Sequence, residues 1–129
     1  MKRVVIESPL SGDFRRNYRY LLWCCRAVWE REGAHVLASH MLNPWYMDDT
    51  VPVEREAGIA NPWAWSTDAV HLSFVDLGVS SGMARARARC MGEGIVHSER
   101  SLREYHPAIW AAFERGEWPP HTPGFEVAT

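Results

Sequence analysis

Four carboxylates stand where acid–base work could be done: Glu7, Asp48, Asp49 and Asp76. Glu7 ends one apolar run, Asp76 follows another, and Asp48-Asp49 close a long aromatic and polar stretch. Carboxylates crowded into one crevice titrate apart, so that one holds a proton while its neighbour stays ionised. That division suits cleavage of a glycosidic bond, and the same groups can hold ribose hydroxyls. The plain alternative is that Asp48 and Asp49 are solvated loop residues and that Asp76 caps a turn.

A second chemistry is anion binding. The stretch Val75-Asp76-Leu77-Gly78-Val79-Ser80-Ser81-Gly82-Met83 reads as a strand end, a turn and a helix start. A helix start offers unpaired N–H groups and the positive end of the helix dipole, which suits a phosphate. Ser80 and Ser81 add hydroxyls, and Gly82 lets the backbone approach closely. The glycine spacing is neither a dinucleotide fingerprint nor a P-loop. A second oxygen-binding corner is Ser8, Ser11, Gly12 and Asp13, with Arg15 and Asn17 just beyond. His40 could touch substrate or carry a proton. Trp45 could stack on a base, although the seven tryptophans serve first as packing groups. Arg85, Arg87 and Arg89 read as surface charges, with Arg85 and Arg89 one turn apart.

These residues need elements to bring them together. Apolar runs at residues 3–7, 35–38, 69–75 and 95–97 predict strands. Helical spacing predicts a helix from Phe14 to Glu32, capped by Asp13 and stopped by Gly33. Val53 to Ala60 predicts another, with Thr50 before it as cap. Asn61-Pro62 then either caps a short helix, 63–66, or kinks the first. Ser80 to Gly92 predicts a third, and helices are expected from Ser101 and from His106 to Glu117. Strands alternating with helices predict an α/β fold, a doubly wound parallel sheet of four to five strands with helices on both faces. Such sheets bind ligands beyond the carboxyl ends of their strands. That rule gathers three loops: 7–13, 39–50 and 76–82.

Composition narrows the function classes. The 129 residues suit one domain, with 118–129 as an extended tail. A net charge of −2 with mixed signs gives no strong nucleic-acid signal. No apolar run is long enough to cross a bilayer, and the N-terminus is expected to enter the fold directly, without a signal peptide. Cys24, Cys25 and Cys90 are odd in number and lack ligand spacing. They predict a reduced, cytoplasmic protein with packing thiols, no metal site and no cofactor.

The order Ser8-Pro9-x-Ser11-Gly12-Asp13-x-x-x-Asn17, then Ser39-His40, then Asp48-Asp49-Thr50-Val51-Pro52-x-Glu54-Arg55-x-x-Gly58-Ile59, then Asp76-x-Gly78-x-Ser80-x-Gly82-Met83, resembles small phage and bacterial proteins of the nucleoside 2-deoxyribosyltransferase-like superfamily. The resemblance runs from Val4 to Arg100. It implies a flavodoxin-like (Rossmann-like) sheet, a homo-oligomer of two or more subunits, and a nucleoside or nucleotide ligand. For a phage protein the compartment would be the host cytoplasm. It also implies chemistry at the bond between base and sugar, by a transferase or an N-glycoside hydrolase. Active members use a glutamate on the anomeric carbon. By position, Ser80 and Gly82 would hold a 5′-phosphate and Asp76 would lie by the sugar or base. The nucleophilic glutamate falls one turn beyond the motif glycine, and counted from Gly82 that position is Ala86. The first strand also lacks the family's tyrosine. Glu7 is the first replacement candidate, with Asp48 or Asp49 second. A nucleotide-binding protein without turnover, serving as a sensor or sequestering module, is the alternative.

Overall fold

The computed structural model describes residues 2–38, 47–48, 50–65, 68–120 and 122. Four strands, β1 (Arg3–Glu7), β2 (His35–Ala38), β3 (Val70–Phe74) and β4 (His97–Arg100), form one sheet in the order β2-β1-β3-β4. Every pairing is parallel. The helices are α1 (Phe14–Glu32), α2 (Pro52–Trp65), α3 (Ser81–Glu93), α4 (Leu102–Tyr105) and α5 (Pro107–Glu114). The fold is α/β of the flavodoxin-like kind. The chain steps outward from β1 to β2, then crosses to β3 and β4, so strand order reverses between β1 and β3. The loops that follow these two strands open at that reversal.

Alternation along the strands gives the sheet two unlike faces. Val4 and Ile6 of β1, with Leu72 and Phe74 of β3, face the main core. The apolar side of α1 covers them with Tyr20, Leu21, Cys24 and Val28, and Leu102, Ile109 and Phe113 complete the layer. Each large apolar side chain buried here contributes roughly 1.5–3 kcal/mol. Asp13 starts α1 by accepting the Arg16 N–H at 3.2 Å. Gly33 ends it in the left-handed conformation, φ 60°, which a side chain would strain. The other face presents Val5, Glu7, His71, Ser73, His97 and Glu99, by the register of the three strands. Trp63 of α2 and Ala86 and Cys90 of α3 cluster over it, with Ile95 beside them.

Several boundaries differ from the sequence expectation. The fourth strand lies at 97–100 and not at 95–97. Ile95 packs against the α3 cluster, and Val96 leads into the strand by accepting the His71 N–H. The strand itself is a polar edge, so the apolar signal fell on the residues before it. Beyond Ala60 the helix continues to Trp65 as one element, through Asn61-Pro62. Val51, not Thr50, accepts its first backbone bond, from Arg55. The last helix stops at Glu114, and the following chain docks on α1, where Trp23 Nε1 donates to the Glu117 carbonyl at 2.7 Å. Among the described residues no helix is long and apolar enough to cross a membrane.

Asp76, just past β3, ties three elements. Its Oδ1 accepts the Tyr20 hydroxyl of α1 at 2.5 Å and the Leu102 N–H at 2.6 Å. Its Oδ2 accepts the Ser101 hydroxyl at 2.8 Å and the Arg103 N–H at 3.2 Å. Partial burial works to raise this carboxyl, but the bonds from Tyr20, Leu102, Ser101 and Arg103 outweigh it and hold it below the ordinary 3.8. Burial, with Cys24 and Asp76 nearby, pushes the Tyr20 phenol far up, so it stays a donor.

Two outcomes follow from this clamp. Asp76→Ala takes away the acceptor of the buried Tyr20 hydroxyl and uncaps α4, and chemical denaturation is expected to register a loss of about 2–3 kcal/mol. The folded state also holds the Asp76 carboxylate more tightly than the unfolded chain does. Its contribution is therefore complete above the ordinary value of 3.8 and is lost as pH falls through the lower folded value. The stability gap between wild type and Asp76→Asn is expected to be widest near neutrality and to narrow below about pH 4, as read by denaturant melts across the acid range.

Candidate functional site

Glu7 ends β1 at the point where strand order reverses, and only 4% of it is exposed. Its side chain lies on the polar face of the sheet. Its Oε1 is 3.6 Å from Nδ1 of His71, which is wholly buried. The His71 ring stacks on Trp63, with centroids 4.8 Å apart. Beside them Ser73 Oγ and His97 Nε2 share a hydrogen bond of 2.8 Å. Burial lowers the His97 imidazole below its ordinary 6.5. Arg87 and His71 lower it further, against the opposing charges of Glu7 and Glu99. Burial also raises the Cys90 thiol, to about 11, and the charges of Glu7 and Glu93 push the same way. Glu7 is thus close enough to act electrostatically on α3, one turn beyond Ala86.

The loop after β1 is shaped from below by Asn17. Its Nδ2 donates to the Leu10 carbonyl at 3.1 Å and to the Ser11 carbonyl at 2.9 Å. That clasp leaves Ser11, Gly12 and Asp13 exposed, and Gly12 turns the chain at φ 96°. Asp13 is engaged as the α1 cap. Ser8 is different: it is 1% exposed, and its Oγ has no hydrogen-bond partner. A buried hydroxyl without a partner forfeits about 1–3 kcal/mol, so a ligand or water atom there is favoured.

The loop after β3 ends in the start of α3. Ser80 caps the helix by accepting the Met83 N–H at 3.2 Å, and its own N–H reaches the Met83 sulfur at 3.4 Å. The Ala84 N–H goes to the Ser80 carbonyl. Ser81 and Gly82 therefore carry the first-turn N–H groups that the helix itself cannot use. Ser81 is exposed and Gly82 half-buried. A methyl group on Gly82 would meet only Ser80 Oγ, at 3.9 Å. The fold does not require glycine here, and space is left above the helix start.

Asp76 and Asp48 are engaged with other partners. Asp76 has both oxygens committed to Tyr20 and α4, as described above. Asp48 is exposed and turned onto Thr50, accepting its hydroxyl at 2.6 Å and its N–H at 2.9 Å. These two bonds lower its carboxyl below 3.8. Asp49, His40 and Trp45 lie outside the described residues. Arg85, Arg87 and Arg89 pair with Glu56, Glu99 and Glu93. Cys24, Cys25 and Cys90 are free thiols, and burial raises Cys25 to about 12. No group of acidic, histidine and cysteine side chains among the described residues could hold a metal ion. An open groove of about 920 Å³ runs along α1 and the start of β2, at Trp29, Gly33 and His35. It lies at the amino end of β2, away from the strand ends where Glu7 sits.

Sequence reasoning missed His71, Ser73 and His97. A signal was present, because a strand buried on both faces should read as continuous apolar residues. Val70-His71-Leu72-Ser73-Phe74 alternates instead, and Glu7 is the polar residue in the same phase on β1.

No curated protein and no solved structure matches the chain. One family model does match, over residues 2–99, and it spans all four strands up to Glu99, α1 to α3, and every residue of the polar sheet face. Its description is a domain of unknown function, DUF7768, and with most of the chain matched, this protein belongs to the DUF7768 family.

Proposed function

We propose that this protein acts on the N-glycosidic bond of a nucleoside or nucleotide, with Glu7 as the reacting carboxylate. One observation carries the reading: Glu7 is buried at the carboxyl end of a central strand, at the strand-order reversal, on the sheet face that α3 covers. If the resemblance to nucleoside 2-deoxyribosyltransferase-like proteins holds, their reacting glutamate would fall on that helix, where this chain has Ala86. A carboxylate supplied from β1 enters the same space from the sheet side. There it attacks the anomeric carbon, or stabilises positive charge on the sugar as the base departs. The N–H groups at Ser81 and Gly82 receive a 5′-phosphate, and the unpartnered Ser8 hydroxyl reaches a sugar oxygen.

A second reading, a nucleotide-binding protein without turnover, is favoured by Ala86 alone. The first-turn donors and the Ser8 hydroxyl serve either case.

Incubation with a panel of nucleosides and 5′-monophosphates, followed by chromatography for free base, decides between them. Base release is expected from at least one substrate, and Glu7→Gln should reduce it by about 10²–10⁴-fold while Asp48→Asn leaves it intact. Thermal stabilisation by a monophosphate with no base released supports the second reading. If neither stabilisation nor turnover occurs, both are wrong. Gly82→Ala should leave the melting temperature unchanged or slightly raised. A methyl at the helix start should nonetheless weaken monophosphate binding by roughly tenfold, measured by titration calorimetry, with nucleosides lacking the phosphate little affected.

A further inference from the structure

The polar face of the sheet holds more than Glu7 needs for burial. The described residues contain three buried side-chain atoms without a hydrogen bond: Ser8 Oγ and both ring nitrogens of His71. A neutral imidazole has one donor and one acceptor to satisfy, and an imidazolium has two donors. Leaving both nitrogens unmet in a dry interior is unfavourable, so residues this buried normally have a partner. The geometry offers one. Glu7 Oε1 lies 3.6 Å from His71 Nδ1, within ion-pair distance and a few tenths of an ångström beyond a hydrogen bond.

The surroundings restrict what else can reach the ring. Trp63 of α2 stacks flat on it, with an interplanar angle of 18°. The Arg89 guanidinium of α3 lies 4.3 Å from the Trp63 ring centre and is paired with Glu93. His97 is the register partner of His71 on β4, but its Nε2 is engaged with Ser73. Burial makes that imidazole harder to protonate. Arg87 is held outward by Glu99, and Cys90 is kept as a thiol by burial. On the β1 side the titratable neighbour is Glu7.

We propose that His71 is the proton partner of Glu7, a positioning residue that shares one proton with it between Nδ1 and Oε1 and so sets the charge of the carboxyl that meets the ligand. With the proton on His71, the pair is imidazolium and carboxylate. With the proton on Glu7, both are neutral. No atom is gained or lost, and the net charge of the pair is constant. An uncharged carboxyl cannot attack an anomeric carbon or stabilise positive charge beside it. The stack on Trp63 fixes the imidazole plane, which keeps Nδ1 aimed along the sheet toward β1. This role for His71 rests on the reading of Glu7 as the reacting carboxylate, whereas the shared proton does not.

Nuclear magnetic resonance of the ring nitrogens, on ¹⁵N-histidine-labelled protein, reads the proton directly. His71 in the wild type is expected to show the pattern of a ring that shares a proton with the carboxylate, and Glu7→Gln should convert it to the pattern of a ring without that partner under the same conditions. His71 resonances that are indifferent to Glu7→Gln overturn the proposal, whatever the protein catalyses. Glu7→Gln is close to isosteric, so the comparison does not depend on removing a core side chain. The second measurement is the pH profile of base release in His71→Asn. A displaced limb of that profile, beyond a uniform loss of rate, supports the positioning role, and a profile of unchanged shape overturns it. A His71 response to Glu7→Gln in a protein that releases no base from any nucleoside upholds the shared proton and removes the glycosidic-bond reading.

Discussion

A parallel sheet with helices over both faces has no solvent side, and every side chain in its central strands must be buried somewhere. In this protein that constraint meets strands whose alternate residues are polar. Val4, Ile6, Leu72 and Phe74 fill one face, while Glu7, His71 and Ser73 are forced into the other. Burying a carboxylate and an imidazole separately is costly, and burying them 3.6 Å apart lets each lessen the cost of the other. The covering helices match this need. Trp63 gives the imidazole a flat apolar neighbour, and the small residues Ala86 and Cys90 bring α3 over the sheet.

The two faces divide the labour of the molecule. The apolar face carries stability: α1, α4 and α5 pack there, and Asp76 joins α1 to α4 through Tyr20 and Leu102. The polar face holds Glu7, His71 and Ser73, beneath loops that open where strand order reverses. Asp76 sits at the boundary of the two. It follows β3 at a carboxyl strand end, where ligand-binding residues gather in such sheets, yet its oxygens turn back toward the helices of the apolar face. A carboxylate at the right point of the chain is therefore not by itself a site residue. What distinguishes Glu7 is the face on which its side chain lies.

Much of the fold was legible because local rules decide it. The apolar runs at β1 and β2, the stripe and caps of α1, and the serine start of α3 are each set by residues near in sequence. The boundaries that shifted are those where tertiary contacts override the local pattern. Ile95 is apolar because it packs on the α3 cluster, Val96 meets β3 through its backbone carbonyl, and the strand proper is a polar edge. Of the two readings left open at Asn61-Pro62, the structure has the single continuing helix, a choice that the breaker residues alone do not make. Of the candidate site, Glu7, Ser8 and the α3 start could be named from strand ends and turn chemistry. His71 was marked only by the alternation of its strand, and what it pairs with is set by its neighbours on adjacent strands.

The sequence by itself determined the layer architecture, the parallel sheet and the loops that leave β1 and β3 at its carboxyl edge. Periodicity and capping act over a few residues and leave little freedom at that level. It also determined that the position one turn beyond Gly82 carries no carboxylate, since Ala86 has none to offer. Only the tertiary structure decided which carboxylate takes a structural role and which stays on the polar face. Asp76 and Glu7 are alike in type and in place along the chain. They differ in what long-range folding sets against them: a phenol and three donors around Ser101 for one, and a buried imidazole from a neighbouring strand for the other.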